Sequence, residues 1–164
     1  MPTIFTQGDL FAEQDLNAYA FGATSSGHMD AGIAVAFKKR WPRLETEYAA
    51  RCADGRFHLG DVFAFVDGET TVYTLALQEH WKAKAKLAAL SRAMTRVVEL
   101  ATNAGVLRIG LPRVGTGLGG LEWLRVKSVL TKVSEHSRVE LVVFEKFVRA
   151  KPASADAPPA TELP

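Results

Sequence analysis

Apolar residues along most of the chain recur with two periods, which predict strands that alternate with helices. Short runs rich in β-branched and aromatic residues predict strands over residues 3–7, 18–24, 62–66, 71–77, 106–111 and 139–144. Apolar positions at helical spacing predict helices over residues 31–40, 44–52, 84–103 and 121–134. Asp67-Gly68 between two strands predicts a hairpin. This order predicts an α/β fold with a mixed central sheet between two helical layers, a three-layer α/β/α arrangement.

The end of the chain differs in composition from the rest. Residues 150–164 hold four of the seven prolines and no aromatic residue. Such a segment has too little apolar surface to offset the entropy lost on ordering. We therefore predict one folded domain over residues 1–149, followed by a disordered C-terminal tail over residues 150–164.

Composition excludes several classes of protein. No apolar run approaches the ~18 residues of a membrane-spanning helix, and we expect no signal peptide, because no basic-then-apolar segment with a small-residue cleavage site stands at the start. The single cysteine, Cys52, cannot form an internal disulfide and has no His or Cys at ligand spacing, so we expect no metal site. The net charge of +2 is smaller than the strong positive charge typical of a dedicated DNA-binding domain. We expect a cytoplasmic monomer without membrane attachment.

Two glycine-containing loops each follow a predicted strand and precede a predicted helix. They span residues 25–34 and 112–120. Glycine lets backbone N–H groups approach a ligand, and a helix N-terminus adds partial positive charge. Each loop alone is equally consistent with a tight turn, but two at the carboxyl ends of strands indicate a phosphate-bearing, nucleotide-like ligand. Neither loop matches the Rossmann or P-loop pattern.

Three segments resemble the macrodomain family in order and spacing: Gly8-Asp9-Leu10-Phe11, residues 29–39 and residues 112–118. The most similar branch contains terminal ADP-ribose protein glycohydrolase and the antitoxin that removes ADP-ribose from DNA. Residues 78–81 are also similar to that antitoxin. The resemblance covers about residues 3–145 and implies a cleft for ADP-ribose.

The resemblance also implies which residues bind that ligand. Asp9, beside Leu10, would accept a hydrogen bond from the adenine amino group, and Phe144 would stack on the adenine. Without the resemblance, Asp9 fits equally an aspartate that stabilises a turn, and Phe144 fits equally a phenylalanine of the core. Backbone amides of the two glycine loops would hold the diphosphate and the distal ribose: Ala31, Gly32, Ile33, Ala34, Gly115, Thr116, Gly117, Leu118, Gly119 and Gly120.

Two positions depart from the glycohydrolase pattern. Gln78 stands where the resemblance implies a nucleophilic lysine, and Gly119 stands where it implies an aspartate. An amide cannot supply an amine nucleophile, so the covalent lysine route is not expected. We hypothesise that Asp30 and Gln78, with His28 or His80, position a water for direct attack. An N-capping aspartate and structural histidines are the alternative interpretations.

We therefore expect hydrolysis of mono-ADP-ribose from proteins at Glu and Asp ester linkages, without a cofactor. Nucleic acid would be a partner only when ADP-ribosylated. The alternatives are a non-catalytic ADP-ribose reader and a DNA ADP-ribosyl glycohydrolase. We interpret Trp41, Trp81 and Trp123 as packing anchors and Arg113 as the partner of an acid beneath the second loop.

Overall fold

The computed structural model describes residues 3–29 and 32–148. In these ranges the chain forms six strands and four α-helices in the predicted order, plus a short 3-10 helix at Leu10–Ala12. The elements are β1 (Ile4–Gly8), β2 (Ala18–Thr24), α1 (Ile33–Arg40), α2 (Pro42–Ala53), β3 (Val62–Asp67), β4 (Thr70–Gln78), α3 (Leu87–Ala104), β5 (Arg108–Leu111), α4 (Trp123–Ser134) and β6 (Glu140–Phe147). Asp30, Ala31 and the predicted tail over residues 150–164 lie outside the described residues. No described helix has the length and apolar character needed to cross a membrane.

The strands form one mixed sheet in the order β1-β6-β5-β2-β4-β3. Only β3 and β4 are antiparallel among these neighbours, and they are joined at the predicted hairpin, where Asp67 pairs with Thr70. Because β6, β5, β2 and β4 are parallel, their carboxyl ends share one edge of the sheet. The loops that follow β2 and β5 are therefore brought side by side.

Alternate residues of the strands face two separate cores, one on each side of the sheet. In β2, Ala18 and Ala20 pack with the apolar faces of α3 and α4, whereas Tyr19 and Phe21 pack with α1 and α2. The predicted three-layer α/β/α arrangement is confirmed.

Helix α3 begins at Leu87, three residues later than its periodicity predicts. The Ala85 amide donates to the Gly119 carbonyl at 2.9 Å, and the Lys86 amide donates to the Leu77 carbonyl at 3.1 Å. These bonds commit the backbone of residues 85 and 86 to neighbouring loops. The helix therefore cannot include residues 85 and 86. Hydrophobic periodicity does not indicate such long-range hydrogen bonds, so it predicts too early a start.

Thr74 lies in the middle of β4, between Phe21 of β2 and Phe63 of β3 in the sheet register. Its hydroxyl is fully buried and has no hydrogen-bond partner among the described residues. A buried hydroxyl without a partner costs about 1–3 kcal/mol. The residue is therefore an unsatisfied polar group in an otherwise apolar layer.

We predict that Thr74→Val raises the free energy of unfolding by about 1–2 kcal/mol, because valine keeps the shape and removes the unsatisfied hydroxyl. Urea denaturation measures the change. Thr95→Val is the control, since the Thr95 side chain is exposed on α3 and its hydroxyl donates to the Ser91 carbonyl. A lower stability for Thr74→Val than for the wild type would contradict the interpretation.

Candidate functional site

A cleft of about 800 Å³ opens at the carboxyl edge of the sheet. Its lining comes from the ends of β2, β4 and β6, the start of α1, and the loop between β5 and α4. Both predicted glycine loops therefore border one cavity, whose volume lies in the usual range for small-molecule sites. Within the described ranges, no group of three His, Cys, Asp or Glu side chains could hold a metal ion.

The second loop, Gly115–Gly120, turns back on itself and leaves a run of amides unpaired. The Gly120 amide donates to the Gly117 carbonyl at 3.2 Å, and the Leu121 amide donates to the Gly115 carbonyl at 2.9 Å. By contrast, the amides of residues 117–119 have no acceptor anywhere in the described part of the chain. Successive N–H groups of this kind form an anion-binding concavity.

Gly119 is the most tightly packed residue of this loop. A Cβ atom at this position would lie 2.6 Å from the Gly115 carbonyl oxygen and 2.9 Å from the Ala85 Cβ atom. Both distances are far inside van der Waals contact, and one of the obstacles is backbone. In this loop conformation no side chain fits at position 119, so the aspartate that the resemblance implies has no space here.

The first loop ends at the N-terminus of α1. Gly32 precedes α1 with φ 62° and ψ −144°, and no side chain of the described residues caps the helix. Gly32, Ile33 and Ala34 all line the cleft. The amides of Ile33 and Ala34 belong to the first turn, where an α-helix offers them no internal acceptor. The helix start therefore presents partial positive charge to the cleft. The first turn of α1 contains no acidic residue that would neutralise this charge.

Tyr48 of α2 supports the first loop from the core. Its hydroxyl donates to the Thr24 carbonyl at 2.6 Å and lies 3.4 Å from the His28 carbonyl oxygen. Burial raises the pKa of Tyr48 to about 12, so the hydroxyl remains a donor at physiological pH. Sequence reasoning missed this residue because nothing in the spacing of α2 indicates that its tyrosine reaches the end of β2.

Gln78 joins the first loop to the segment that follows β4. Its backbone carbonyl accepts from the Ser25 amide at 2.9 Å, and its side-chain nitrogen donates to the Ala83 carbonyl at 2.7 Å. Gln78 and His28 both line the cleft, whereas His80 is not among the described residues that do so. The His80 Nδ1 atom instead accepts from the Lys82 amide at 3.2 Å. The catalytic roles of these residues remain predictions.

At the far end of the cleft, Leu10 and Phe144 belong chiefly to the core. They are 1% and 5% exposed, although Phe144 also contributes to the cleft lining. The Asp9 carboxylate accepts from the Phe11 amide at 3.0 Å and caps the 3-10 helix. These positions match the turn and core alternatives for Asp9 and Phe144, and the ligand-binding roles remain predictions.

Phe147 is a cleft residue that sequence reasoning missed. It is 50% exposed, lines the cleft and pairs with Gly8, the residue before Asp9, across β6 and β1. The predicted strand ended at Phe144 because charged residues follow it. Pairing with β1 extends β6 by three residues and carries this second phenylalanine to the carboxyl edge.

A charged cluster lies at the cleft rim beside the second loop. The Arg113 guanidinium lies 4.9 Å from the Trp123 ring centroid, and the Trp123 indole nitrogen donates to Glu145 at 2.8 Å. The hydrogen bonds from Trp123 and then Lys127 lower the pKa of Glu145, with the Arg113 charge contributing. Arg113 and Glu145 both line the cleft. Arg113 thus stacks on an indole, and no acid pairs with it at ion-pair distance within the described ranges.

The three tryptophans have different environments. Trp41 is 9% exposed and Trp123 is partly buried, which agrees with packing. Trp81 is 56% exposed and lines the cleft, so its interpretation as a packing anchor is wrong. A large exposed indole at a cavity rim is positioned to contact whatever enters or leaves.

We predict that Gly119→Ala lowers the free energy of unfolding by about 1–3 kcal/mol, because its Cβ atom overpacks the loop against backbone. Gly117→Ala is the matched control in the same loop, since a Cβ atom there meets nothing within 4 Å. Urea denaturation of both variants checks the difference. Equal stability of the two variants would contradict the close packing described for position 119.

Comparison with known proteins identifies relatives of the chain. The Macro domain family model matches residues 21–130. DNA ADP-ribosyl glycohydrolase of Mycobacterium tuberculosis is 28% identical over 145 residues, covering 85% of this chain and 41% of that protein. Human ADP-ribose glycohydrolase OARD1 is 25% identical over 149 residues, covering 85% of this chain and 89% of that protein. The solved macrodomain of Mycobacterium tuberculosis DarG has a TM-score of 0.80 at 26% identity, covering 87% of this chain and 97% of that chain.

The chain spans about two-fifths of the length of the mycobacterial glycohydrolase. It nevertheless covers nearly all of the solved macrodomain of DarG, so the similarity corresponds to one complete domain. The family match extends from β2 into α4 and includes both loops that line the cleft. The resemblance inferred from the sequence is confirmed: the chain belongs to the macrodomain family.

Proposed function

We propose that this macrodomain binds ADP-ribose in its cleft and hydrolyses mono-ADP-ribose from modified proteins. The observation that carries the proposal is the placement of two amide-rich loops on one cavity. The unpaired amides of residues 117–119 and the start of α1 offer donors for a diphosphate without a basic surface. The names of the relatives, which act on ADP-ribose adducts, support the same class of ligand.

We place the adenine at the β1–β6 end of the cleft. The exposed ring of Phe147 offers a face on which adenine can stack, and Phe144 of the same strand also lines the cleft. The Asp9 carboxylate already accepts from one amide, and a carboxylate has about four lone-pair sites in all. It can therefore also accept from the adenine amino group.

An ester to Glu or Asp suits a site without an amine nucleophile. Water attacks the anomeric carbon, the bond from that carbon to the ester oxygen breaks, and the protein carboxylate leaves with the bonding electrons. The conjugate acid of this leaving group has a pKa of about 4, so it departs without prior protonation. Asp30 would take the proton of the attacking water. The Gln78 side-chain oxygen would accept a hydrogen bond from the second hydrogen of this water. The Gln78 side-chain nitrogen donates to the Ala83 carbonyl, which leaves the oxygen to face the water.

We predict that the full chain releases ADP-ribose from protein modified on Glu or Asp, and that Asp30→Ala slows release by about 10²–10⁴-fold through lost general-base assistance. Gln78→Ala removes a hydrogen bond to the attacking water and should slow release by about tenfold. Chromatographic detection of free ADP-ribose measures the rate. Asp67→Ala and Gln14→Ala are controls with exposed side chains outside the cleft lining. Release that survives both cleft substitutions would show that the residue assignment is wrong.

If the wild type binds ADP-ribose but releases none from modified protein, the domain is a reader and the proposal of catalysis fails. The loss of lysine and aspartate at positions 78 and 119 makes this outcome the principal competitor. Calorimetry with ADP-ribose and the release assay together separate binding from turnover.

A second candidate is removal of ADP-ribose from a DNA base. The observation that favours it is the exposed Trp81 ring on the cleft lining, which could stack on a base. The mycobacterial relative is named for the same activity. Release from an ADP-ribosylated single-stranded oligonucleotide, with none from modified protein, would replace the proposed substrate by this one.

We predict that Arg113→Ala weakens ADP-ribose binding about tenfold, because its guanidinium lines the cleft beside the amide-rich loop and would lose a charge-assisted contact with the diphosphate. Titration calorimetry measures the affinity. Arg125→Ala is the control, since Arg125 is exposed on α4 and ion-paired with Glu122. Adenosine, which lacks phosphate, should bind Arg113→Ala and the wild type equally. Unchanged affinity for ADP-ribose would contradict a phosphate contact.

A further inference from the structure

Three lysines stand at alternate positions between β4 and α3. Lys82, Lys84 and Lys86 are all exposed, and we refer to them as the basic strip. The residues between them face the protein: Ala85 is 5% exposed and Ala83 is half-buried. The segment turns at residues 80–83, where the Ala83 amide donates to the His80 carbonyl at 3.0 Å, and its backbone is extended at Lys86. The hydrogen bond from the Ala85 amide to the Gly119 carbonyl ties the segment to the second glycine loop, so the exposed lysines lie beside that loop.

The basic strip is not neutralised within the molecule. Among the described residues, no carboxylate lies at ion-pair distance from any of its lysines. Lys82 instead lies 5.1 Å from the Trp81 ring centroid. Lys86 is also the N-cap residue of α3, whose first turn contains no acid. A cation at this end of a helix opposes its dipole, so an anion beside Lys86 would be favourable.

The basic strip adjoins the cleft. Trp81, the residue before Lys82, lines the cavity. Ala85, which stands between Lys84 and Lys86, donates its amide to the carbonyl of Gly119 in the second glycine loop. Gln78, which we assign to the attacking water, lies at the start of the same segment and bonds to Ala83. A group linked to the distal ribose would therefore leave the cavity past Trp81 and over the lysines.

We propose that the basic strip binds an extended acidic polypeptide, namely the segment that carries the ADP-ribosylated Glu or Asp. This inference rests on the proposed function and specifies its substrate. Three exposed ammonium groups with no carboxylate at ion-pair distance among the described residues are complementary in charge to the carboxylates of such a peptide. A modified acid within an acidic stretch would be held with its linkage at the cleft mouth.

The same surface fits a nucleic-acid strand less well. Grooves for single strands combine backbone contacts with aromatic platforms for successive bases, often with arginine. The basic strip contains lysine only, and Trp81 is the one aromatic side chain between residues 79 and 86. The net charge of +2 also lies far from that of a typical nucleic-acid-binding domain. The all-lysine composition of the basic strip therefore favours an acidic peptide.

The test compares three forms of the full chain by fluorescence anisotropy. They are the wild type, Lys82→Gln/Lys84→Gln/Lys86→Gln, and the control Lys39→Gln/Lys132→Gln/Arg138→Gln, which removes the same charge from exposed positions elsewhere. The probes are an unmodified labelled peptide of alternating Glu and Ser, its Gln counterpart, and an oligothymidylate of equal charge. Salt is held at about 50 mM, where screening is weak. ADP-ribose calorimetry on each form shows whether the cleft is intact.

We expect the strip variant to lose about tenfold in affinity for the acidic peptide, as three weak exposed ion pairs together allow. The control variant and ADP-ribose affinity should change little, and the Gln peptide should bind weakly to all forms. Equal peptide binding by the two triple variants would overturn the proposal. Strip-dependent binding of the oligothymidylate in preference to the peptide would overturn it in favour of nucleic acid.

Because the peptide probe is unmodified, its binding does not depend on hydrolysis. Strip-dependent peptide binding without ADP-ribose release would contradict the proposed catalysis and leave the docking surface standing. ADP-ribose release without strip-dependent peptide binding would do the reverse. The two proposals can therefore fail separately.

Discussion

The close approach of backbone at Gly119 is the contact on which the functional edge of this protein depends. The absence of a Cβ atom there lets the Gly115 carbonyl and Ala85 pack against the loop, and the Gly119 carbonyl accepts the Ala85 amide. That contact holds the amide-rich loop in shape and delays the start of α3. It also ties the segment that carries Lys82, Lys84 and Lys86 to the side of the cleft, so one steric requirement links the second glycine loop and the basic strip.

The cleft combines backbone donors with very few charged side chains. An anion held by the amides of residues 117–119 and by the start of α1 needs no basic surface, which reconciles a phosphate-bearing ligand with a net charge of only +2. Arg113 is the cation nearest in sequence to the amide-rich loop. Its guanidinium lies over the Trp123 ring and has no carboxylate at ion-pair distance within the described ranges, so its charge remains available to the cleft.

Sequence reasoning succeeded where local physics is strong and failed where long-range contacts decide. The Asp67-Gly68 hairpin and the strand over residues 18–24 follow from turn chemistry and apolar runs, and the structure confirms both. Pairing with β1 extends β6 to Phe147, which periodicity could not indicate. Trp81 was interpreted as a packing anchor because a lone indole is usually buried, but it stands at the cavity rim.

The sequence by itself determined the order of strands and helices, the Asp67-Gly68 hairpin and the presence of two glycine loops, because hydrophobic period and glycine chemistry act over short stretches. Only the tertiary structure decided that the loops share one cavity, that no side chain fits at position 119, and that Phe147 and Trp81 border the cleft. Those facts depend on distances between segments far apart in the chain. Such distances are set by strand pairing and close packing, and local composition does not encode them.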